Sequence, residues 1–261
     1  MIKLIISDID GTLVNDRKQL SENFAAVAKL MHDRNVRFCA ASGRQFQSLE
    51  QLFAHIPYEM GYVSDNGAYI RYRDEDIFEN PITYEAVKPV LNACETIEGI
   101  GVAICGKKKA YLKTDNEAVY EEVLLHYPAL ERVTSFDGID DVIFKITVCD
   151  EKGSRTNSYP QLAHFEDQFK VVVSGTTWLD ITHKHVNKGN AIRLLQEMWG
   201  ITPDETVVFG DQLNDLEMMQ SARYSYAMKN AQDEVKQLAN YVTEYDNNHE
   251  GVIQKIAELL S

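Results

Sequence analysis

Asp8 and Asp10 stand two positions apart, end an apolar run and are followed at once by Gly11. If the run is a strand, both carboxylates share one small volume, because residues i and i+2 of a strand point to the same side. Bare, they repel, so such a pair calls for a cation or a shared proton. An Asp-x-Asp also serves as loop or helix-capping aspartates, and the other polar clusters of the chain must decide between the readings. Ala41-Ser42-Gly43-Arg44, Lys188 at the head of a helical segment, and Gly210-Asp211-Gln212-Leu213-Asn214-Asp215 add a hydroxyl, an ammonium and two more carboxylates. Hard oxygen donors suit Mg²⁺, which prefers one or two carboxylates together with waters and substrate phosphate. Lysine and hydroxyl donors neutralise the oxygens of a transferring phosphoryl group. Gly11 and Gly43 let backbone amides approach an anion.

These groups act together only if the fold brings them to one edge. The run Ile2-Lys3-Leu4-Ile5-Ile6 is too short and too β-branched for a helix and reads as a buried parallel strand. Asp8 and Asp10 then sit at its carboxyl end, where open α/β sheets bind ligands. Ser21 can cap a helix over 22–34, a second strand covers 36–41, a helix 45–54, and Tyr62-Val63-Ser64 runs into a turn at Asp65-Asn66-Gly67-Ala68. After Asn80-Pro81 the pattern changes: a helix over 84–98, a hairpin of 101–105 and 110–113 around Gly106-Lys107-Lys108-Lys109, a helix over 116–126, a strand over 142–148, a helix near 159–169 and a hairpin of 171–174 and 178–182. The parallel style resumes with a helix over 189–199, a strand over 206–209 and short strands at 224–228 and 241–242 flanking a helix over 232–239. The predicted fold class is therefore α/β: a Rossmann-like parallel sheet core, residues 1–81 and 185–261, with an inserted α+β domain, 82–184.

Composition bounds the partners. The chain has 261 residues, 44% of them apolar, ample for a large core. A net charge of −14 argues against nucleic acid or an anionic membrane as partner. Cys39, Cys94, Cys105 and Cys149 lie far apart with no Cys-x-x-Cys spacing, so neither a zinc site nor a disulfide framework is indicated. The chain enters a strand directly, with no basic region leading into a long apolar one, and no segment approaches the roughly 18 apolar residues of a membrane span. A cytoplasmic protein is expected.

Asp8-Ile9-Asp10-Gly11-Thr12-Leu13, the serine of Ala-Ser-Gly-Arg, the lysine of Val186-Asn187-Lys188-Gly189 and Gly210-Asp211-Gln212-Leu213-Asn214-Asp215 resemble, in order and spacing, the four motifs of the haloacid dehalogenase superfamily of phosphatases. The insertion between the second and third motifs resembles the type IIB cap of the Cof-like branch, and Asn66-Gly67-Ala68 and Ala227-Met228-Lys229-Asn230-Ala231 resemble that branch too. The resemblance implies a Mg²⁺-dependent phosphomonoester hydrolase acting on a small phosphorylated metabolite, a sugar phosphate or a phosphorylated cofactor. Asp8 is then the nucleophile that forms an aspartyl-phosphate, and Asp10 the acid that protonates the leaving oxygen and next activates water. Mg²⁺ is implied at an Asp8 oxygen, the Asp10 backbone carbonyl and Asp211, with Asp215 coordinated or just behind; Ser42, Lys188, Asn214 and the amides of Ile9 and Gly43 hold the phosphate, and Thr12 orients Asp10. Ser42 replaces a frequent threonine and Lys229 a frequent glycine.

Several positions keep two readings. Arg44 is a salt-bridge residue or a substrate contact, Asn66 a left-handed turn residue or part of the site, the Lys107–Lys109 run a solvated hairpin tip or an anion-steering patch, and Trp178 core or a sugar-stacking platform. A phosphomutase is the enzymatic alternative. A signalling receiver domain also uses an acceptor aspartate, a hydroxyl and a lysine, but needs neither the insertion nor an acid two residues after the acceptor.

Overall fold

The computed structural model describes residues 1–261. In chain order, the first part runs through β1 (Leu4–Ser7), α1 (Phe24–Asp33), β2 (Arg37–Ala41), α2 (Phe46–Phe53), β3 (Gly61–Ser64), β4 (Tyr69–Tyr72) and β5 (Glu75–Glu79). The middle supplies α3 (Tyr84–Cys94), β6 (Ile100–Gly106), β7 (Ala110–Lys113), α4 (Glu117–His126), β8 (Leu130–Arg132), β9 (Ile143–Asp150), α5 (Ser158–Leu162), β10 (Phe169–Val173) and β11 (Trp178–His183). The last part adds α6 (Lys188–Trp199), β12 (Thr206–Gly210), α7 (Leu216–Met219), β13 (Tyr224–Ala227), α8 (Asp233–Leu238), β14 (Tyr241–Val242) and α9 (Gly251–Leu259).

The chain divides into two compact units, one of Met1–Gly43, Leu49–Phe78 and Asn187–Ser261, the other of Arg44–Ser48 and Glu79–Val186. The second unit begins three residues before and ends two after the inserted segment expected from sequence, and it takes in Arg44–Ser48 as well. Gln45 and Gln47 account for that strap: their amides donate to the carbonyls of Gly106, Lys107 and Lys108.

The first unit is built on an eight-stranded sheet in the order β14-β13-β12-β1-β2-β3-β4-β5. Neighbouring strands from β14 through β3 run parallel, and β3 pairs antiparallel with β4. Every residue of β1 and β12 is buried. Burial on both faces is what a continuous apolar run of β-branched residues requires, and it is why alternation is absent there. The chain leaves β1 toward β2 on one side and later returns to β12 on the other, so the sheet order reverses at β1, the position where open sheets form a crevice at the strand carboxyl ends. Register aligns those ends: Ser7 lies opposite both Phe209 and Ala40.

The second unit has a six-stranded sheet in the order β10-β11-β9-β6-β7-β8, antiparallel except between β7 and β8. It buries two apolar clusters, one with α3 and α5 and one with α4. Trp178 packs half-buried against the second cluster, its ring 5.0 Å from His126, consistent with the core reading. The Lys107–Lys109 run is paired rather than simply solvated: Lys107 with Glu79, Lys108 with Asp140 and Lys109 with Glu131.

Other departures concern short elements. The helix expected near 159–169 is α5 followed by a 3-10 turn over Ala163–Asp167, and Phe169 already belongs to β10, whose pairing with β11 claims it. Ser21 does not cap α1 directly; Asn23 holds the cap position while the Ser21 hydroxyl donates to Glu250. β5, β8, α7 and α9 were not expected from the sequence.

Candidate active site

Three strand ends deliver the site. β1 ends at Ser7 and hands on to Asp8, whose amide donates to the Phe209 carbonyl, 2.9 Å away. β12 ends at Gly210 and hands on to Asp211; β2 ends at Ala41 and hands on to Ser42, whose amide donates to Val63. Asn187 caps α6 by accepting from the Asn190 amide, which fixes Lys188 as the first helical residue.

Asp8, Asp211 and Asp215 converge, each offering a carboxylate oxygen within 4.8 Å of the others. Lys188 lies among them with no exposed surface, its Nζ 2.5 Å from Asp8 Oδ1 and 2.7 Å from Asp215 Oδ1. Burial pushes the Asp8 carboxyl well above the ordinary range; Lys188 opposes this, while Asp215 and Asp211 reinforce it. Burial also works against the Lys188 charge, but Asp215 and Asp8 outweigh it and hold the ammonium above its usual value. Asp211 is raised as well, chiefly by burial, with the Thr12 hydrogen bond pulling it back.

Each partner oxygen has a definite role. Asp215 Oδ2 accepts from the amides of Asp211 and Gln212, at 2.8 and 3.0 Å, so with Lys188 on Oδ1 both oxygens serve the protein. Thr12 Oγ1 donates to Asp211 Oδ1 at 2.7 Å. This corrects the expectation that Thr12 orients Asp10: the Ile9 carbonyl accepts from the amides of Thr12, Leu13 and Val14, and the turn so formed aims the hydroxyl at β12. Gly11, at φ +77°, presses against Asp211; a Cβ there would lie 2.4 Å from Oδ2, which only glycine avoids.

Asp10 pairs instead with Lys18, Nζ to Oδ1 at 2.7 Å, both side chains partly exposed. Nothing in the spacing pointed to Lys18. It sits at φ +61° in a loop closed by Asn15, whose Oδ1 accepts from the amides of Arg17 and Gln19. Asn230 was also missed as a site residue; its Nδ2 donates to the Gly11 carbonyl at 2.7 Å.

On the other flank Asn66 is the left-handed turn residue of the first reading. It adopts the left-handed conformation, φ 57° and ψ 24°, and its Oδ1 accepts from Asn214 Nδ2 at 3.0 Å. Its amide donates to the Ser42 carbonyl, and its side chain lies against Gly43, where a Cβ would come within 3.2 Å of Nδ2. Ser42, Gly43, Asn66 and Asn214 are thus one polar group at the same sheet edge, with Ser42 buried. Ile9 is fully buried. Arg44 belongs to the second unit.

The arrangement offers a buried carboxylate beside a fixed ammonium, further carboxylates whose hard oxygens suit a divalent cation, and hydroxyl and amide donors for an anion. The chain matches the model of the haloacid dehalogenase-like hydrolase family over residues 5–256. The 5-amino-6-(5-phospho-D-ribitylamino)uracil phosphatase YbjI of Escherichia coli (strain K12) is 35% identical, covering 99% of this chain and 96% of its own. Among solved structures, SMU.1108c from Streptococcus mutans UA159 superposes with a TM-score of 0.88 at 30% identity, over 100% of this chain and 99% of that one. The HAD subclass IIB sugar phosphatase BT4131, at 24% identity and a TM-score of 0.80 over 98% of each chain, shares the fold. On the motifs, the fold and these likenesses together, the chain belongs to the haloacid dehalogenase-like hydrolases.

Proposed function

We propose that this protein is a Mg²⁺-dependent phosphomonoester hydrolase that acts on a small phosphorylated metabolite through an aspartyl-phosphate at Asp8. The observation that carries the reading is Lys188, fully buried between Asp8 and Asp215 beside Asp211. A nucleophilic carboxylate must be ionised, yet burial disfavours that in Asp8, and the fixed ammonium opposes this cost. The donor set fits a hard divalent cation: Asp8, the Asp10 carbonyl and Asp211 would hold Mg²⁺, and Asp215, whose oxygens are engaged by Lys188 and two amides, would hold Asp211 and Lys188 in place. When bound, Mg²⁺ supplies positive charge to the phosphoryl oxygens and to the carboxylates around them.

The residues then divide the work. Lys188, Ser42, Asn214 and the amides of Ile9 and Gly43 bind the phosphate, and Asn66 positions Asn214. An Asp8 oxygen attacks phosphorus while the ester bond breaks, its electron pair passing to the leaving oxygen, which takes a proton from Asp10. Asp10, now a carboxylate, takes a proton from water as that water attacks phosphorus, and the pair of the breaking P–O bond returns to Asp8. Residues 82–184 act as a cap that reads the leaving group, with Arg44 as a candidate substrate contact. A polyol phosphate leads the substrate classes, since the 35% identical relative is named for a ribityl phosphate ester. Four buried thiols, none in a disulfide, support a cytoplasmic setting.

The test separates the two aspartates. Asp8→Asn abolishes turnover of every substrate. Asp10→Asn slows phosphoryl transfer from a sugar phosphate by ~10²–10⁴-fold, the usual worth of general acid catalysis. With p-nitrophenyl phosphate, whose leaving group needs no proton, the same variant gives a rapid-quench burst of nitrophenolate approaching one equivalent and then stalls, with hydroxylamine-labile phosphate on the protein. Equal losses on both substrates without a burst exclude the acid-base role, and the absence of free phosphate would redirect the reading to a phosphomutase.

A further inference from the structure

We infer that the first unit holds a second ligand site, for a small aromatic carboxylate, in a cavity at the edge of its sheet opposite the catalytic one, where Arg37 binds the carboxylate and an apolar floor takes the ring. This goes beyond the phosphatase reading and does not depend on it. The cavity measures about 290 Å³ and lies wholly within the first unit, between α1, the start of β2, the loop leading into β3 and the end of β4. β2 begins at Arg37 and delivers Ser42 at its far end, roughly 17 Å along the strand. Register fixes the placement: Cys39 of β2 lies opposite Gly61, the first residue of β3, and Gly61 opposite Tyr72, the last of β4. A site here is therefore separate from the phosphate-binding edge.

The lining divides by polarity. Met31, Phe38 and Met60 are buried and continuous with the core cluster, and Tyr58 and Tyr72 are half-buried beside them. Aromatic rings and thioether sulfurs make a surface suited to a flat ring. The charged lining groups are not equivalent. Glu59, the one acidic residue among them, is engaged by Arg73, whose Nε donates to it at 2.5 Å. Arg37 is half-buried and has no carboxylate partner; its guanidinium carbon lies 4.9 Å from the centre of the Trp199 ring. Stacking occupies the face of a guanidinium and leaves the N–H groups of its edge to donate, a fork matched to a carboxylate. In a chain with 40 acidic residues against 26 basic ones, carboxylates for arginine are plentiful, so a half-buried guanidinium without one marks a place for an anion from outside. A cavity of this size, at the low end of the ~300–1,000 Å³ of ligand sites, admits one or two fused rings with a carboxylate and little more.

The test uses 2-naphthoate, with 2-naphthalenemethanol as its neutral counterpart and cyclohexanecarboxylate as its non-aromatic one, on the full chain labelled with 5-fluorotryptophan. Fluorine NMR then gives one signal for Trp178 and one for Trp199, assigned with Trp199→Phe. By calorimetry 2-naphthoate binds with a Kd below ~1 mM, and it moves the Trp199 signal but not that of Trp178. The other two ligands bind roughly tenfold more weakly or worse, the worth of a hydrogen bond to a charged group or of a ring contact. Arg37→Met weakens 2-naphthoate by a similar factor and leaves the alcohol where it was. The proposal is overturned if 2-naphthoate does not bind below ~1 mM, if the alcohol or the cyclohexane acid binds as tightly, if Arg37→Met binds 2-naphthoate as the wild type does, or if the Trp178 signal moves instead. Should Arg37→Met fail to fold, the three ligands on the wild type, read at Trp199, decide by themselves. Hydrolysis of p-nitrophenyl phosphate tests the phosphatase reading separately, and its failure leaves this site standing.

Discussion

Replacing Lys188 with methionine should destabilise the protein strongly in chelator and make its stability depend on Mg²⁺. The ammonium contacts Asp8 at 2.5 Å and Asp215 at 2.7 Å with no exposed surface. At an effective dielectric near 20, each contact carries roughly 6 kcal/mol of gross attraction. Most of that offsets the cost of burying the ions, and removing one partner of a buried pair typically costs about 3–5 kcal/mol. Asp8 can retreat by taking up a proton, since its carboxyl is already raised, which favours the lower end. A loss of about 3 kcal/mol is a large share of the 5–15 kcal/mol of an ordinary domain and corresponds to a fall of roughly 6–12 °C in melting temperature for a protein of this size. Methionine preserves volume, so packing contributes little. The assay is thermal unfolding of wild type and Lys188→Met in chelator and then in excess Mg²⁺. The cation should stabilise the variant more than the wild type, because it replaces a missing positive charge among Asp8, Asp211 and Asp215. A variant that melts with the wild type in chelator, or that gains no more from Mg²⁺, refutes the electrostatic account.

Thr12→Val removes the 2.7 Å bond to Asp211 and should weaken Mg²⁺ binding about tenfold or more, read from the Mg²⁺ dependence of phosphate release; superimposable titrations would return Thr12 to a role elsewhere. Gly11→Ala places a Cβ against Asp211 at a left-handed backbone and should cost about 1–3 kcal/mol, measured by denaturant unfolding; an unchanged midpoint would mean the loop relaxes freely. The folded-state pKa of Asp8 is raised, so below the ordinary value of 3.8 its contribution to stability is fully present, and it is lost as pH rises through the raised value. In chelator, the stability of Asp8→Asn relative to wild type should therefore increase with pH across that window and then level off; a difference that is flat or falls with pH contradicts the assignment.

Much of the site was legible because its parts are local. An apolar run of β-branched residues closed by Asp8, or Thr206–Phe209 closed by Gly210 and Asp211, specifies a buried strand and the polar group at its carboxyl end within ten residues. Parallel strands must then return to one edge, so four short motifs far apart in sequence meet without any pair of them being read as neighbours. The change from parallel to hairpin style at Asn80-Pro81 is a pattern of the same local kind. What tertiary structure alone decided is which donor serves which acceptor. Thr12 turns to Asp211, 199 positions away, and Lys18 reaches Asp10 from an exposed loop whose shape depends on Asn15. The edge strand Glu75–Glu79 has no apolar alternation and exists because a turn at Arg73 and Asp74, both at positive φ, folds it back beside β4. The unpaired oxygen of Gln45 is of the same kind: any sequence shows a glutamine after Ser-Gly-Arg, but only the folded chain engages its amide and leaves its carbonyl buried. Hydrogen bonds between side chains far apart in sequence carry no periodicity, and their partners are chosen by geometry that exists only after the sheet has closed.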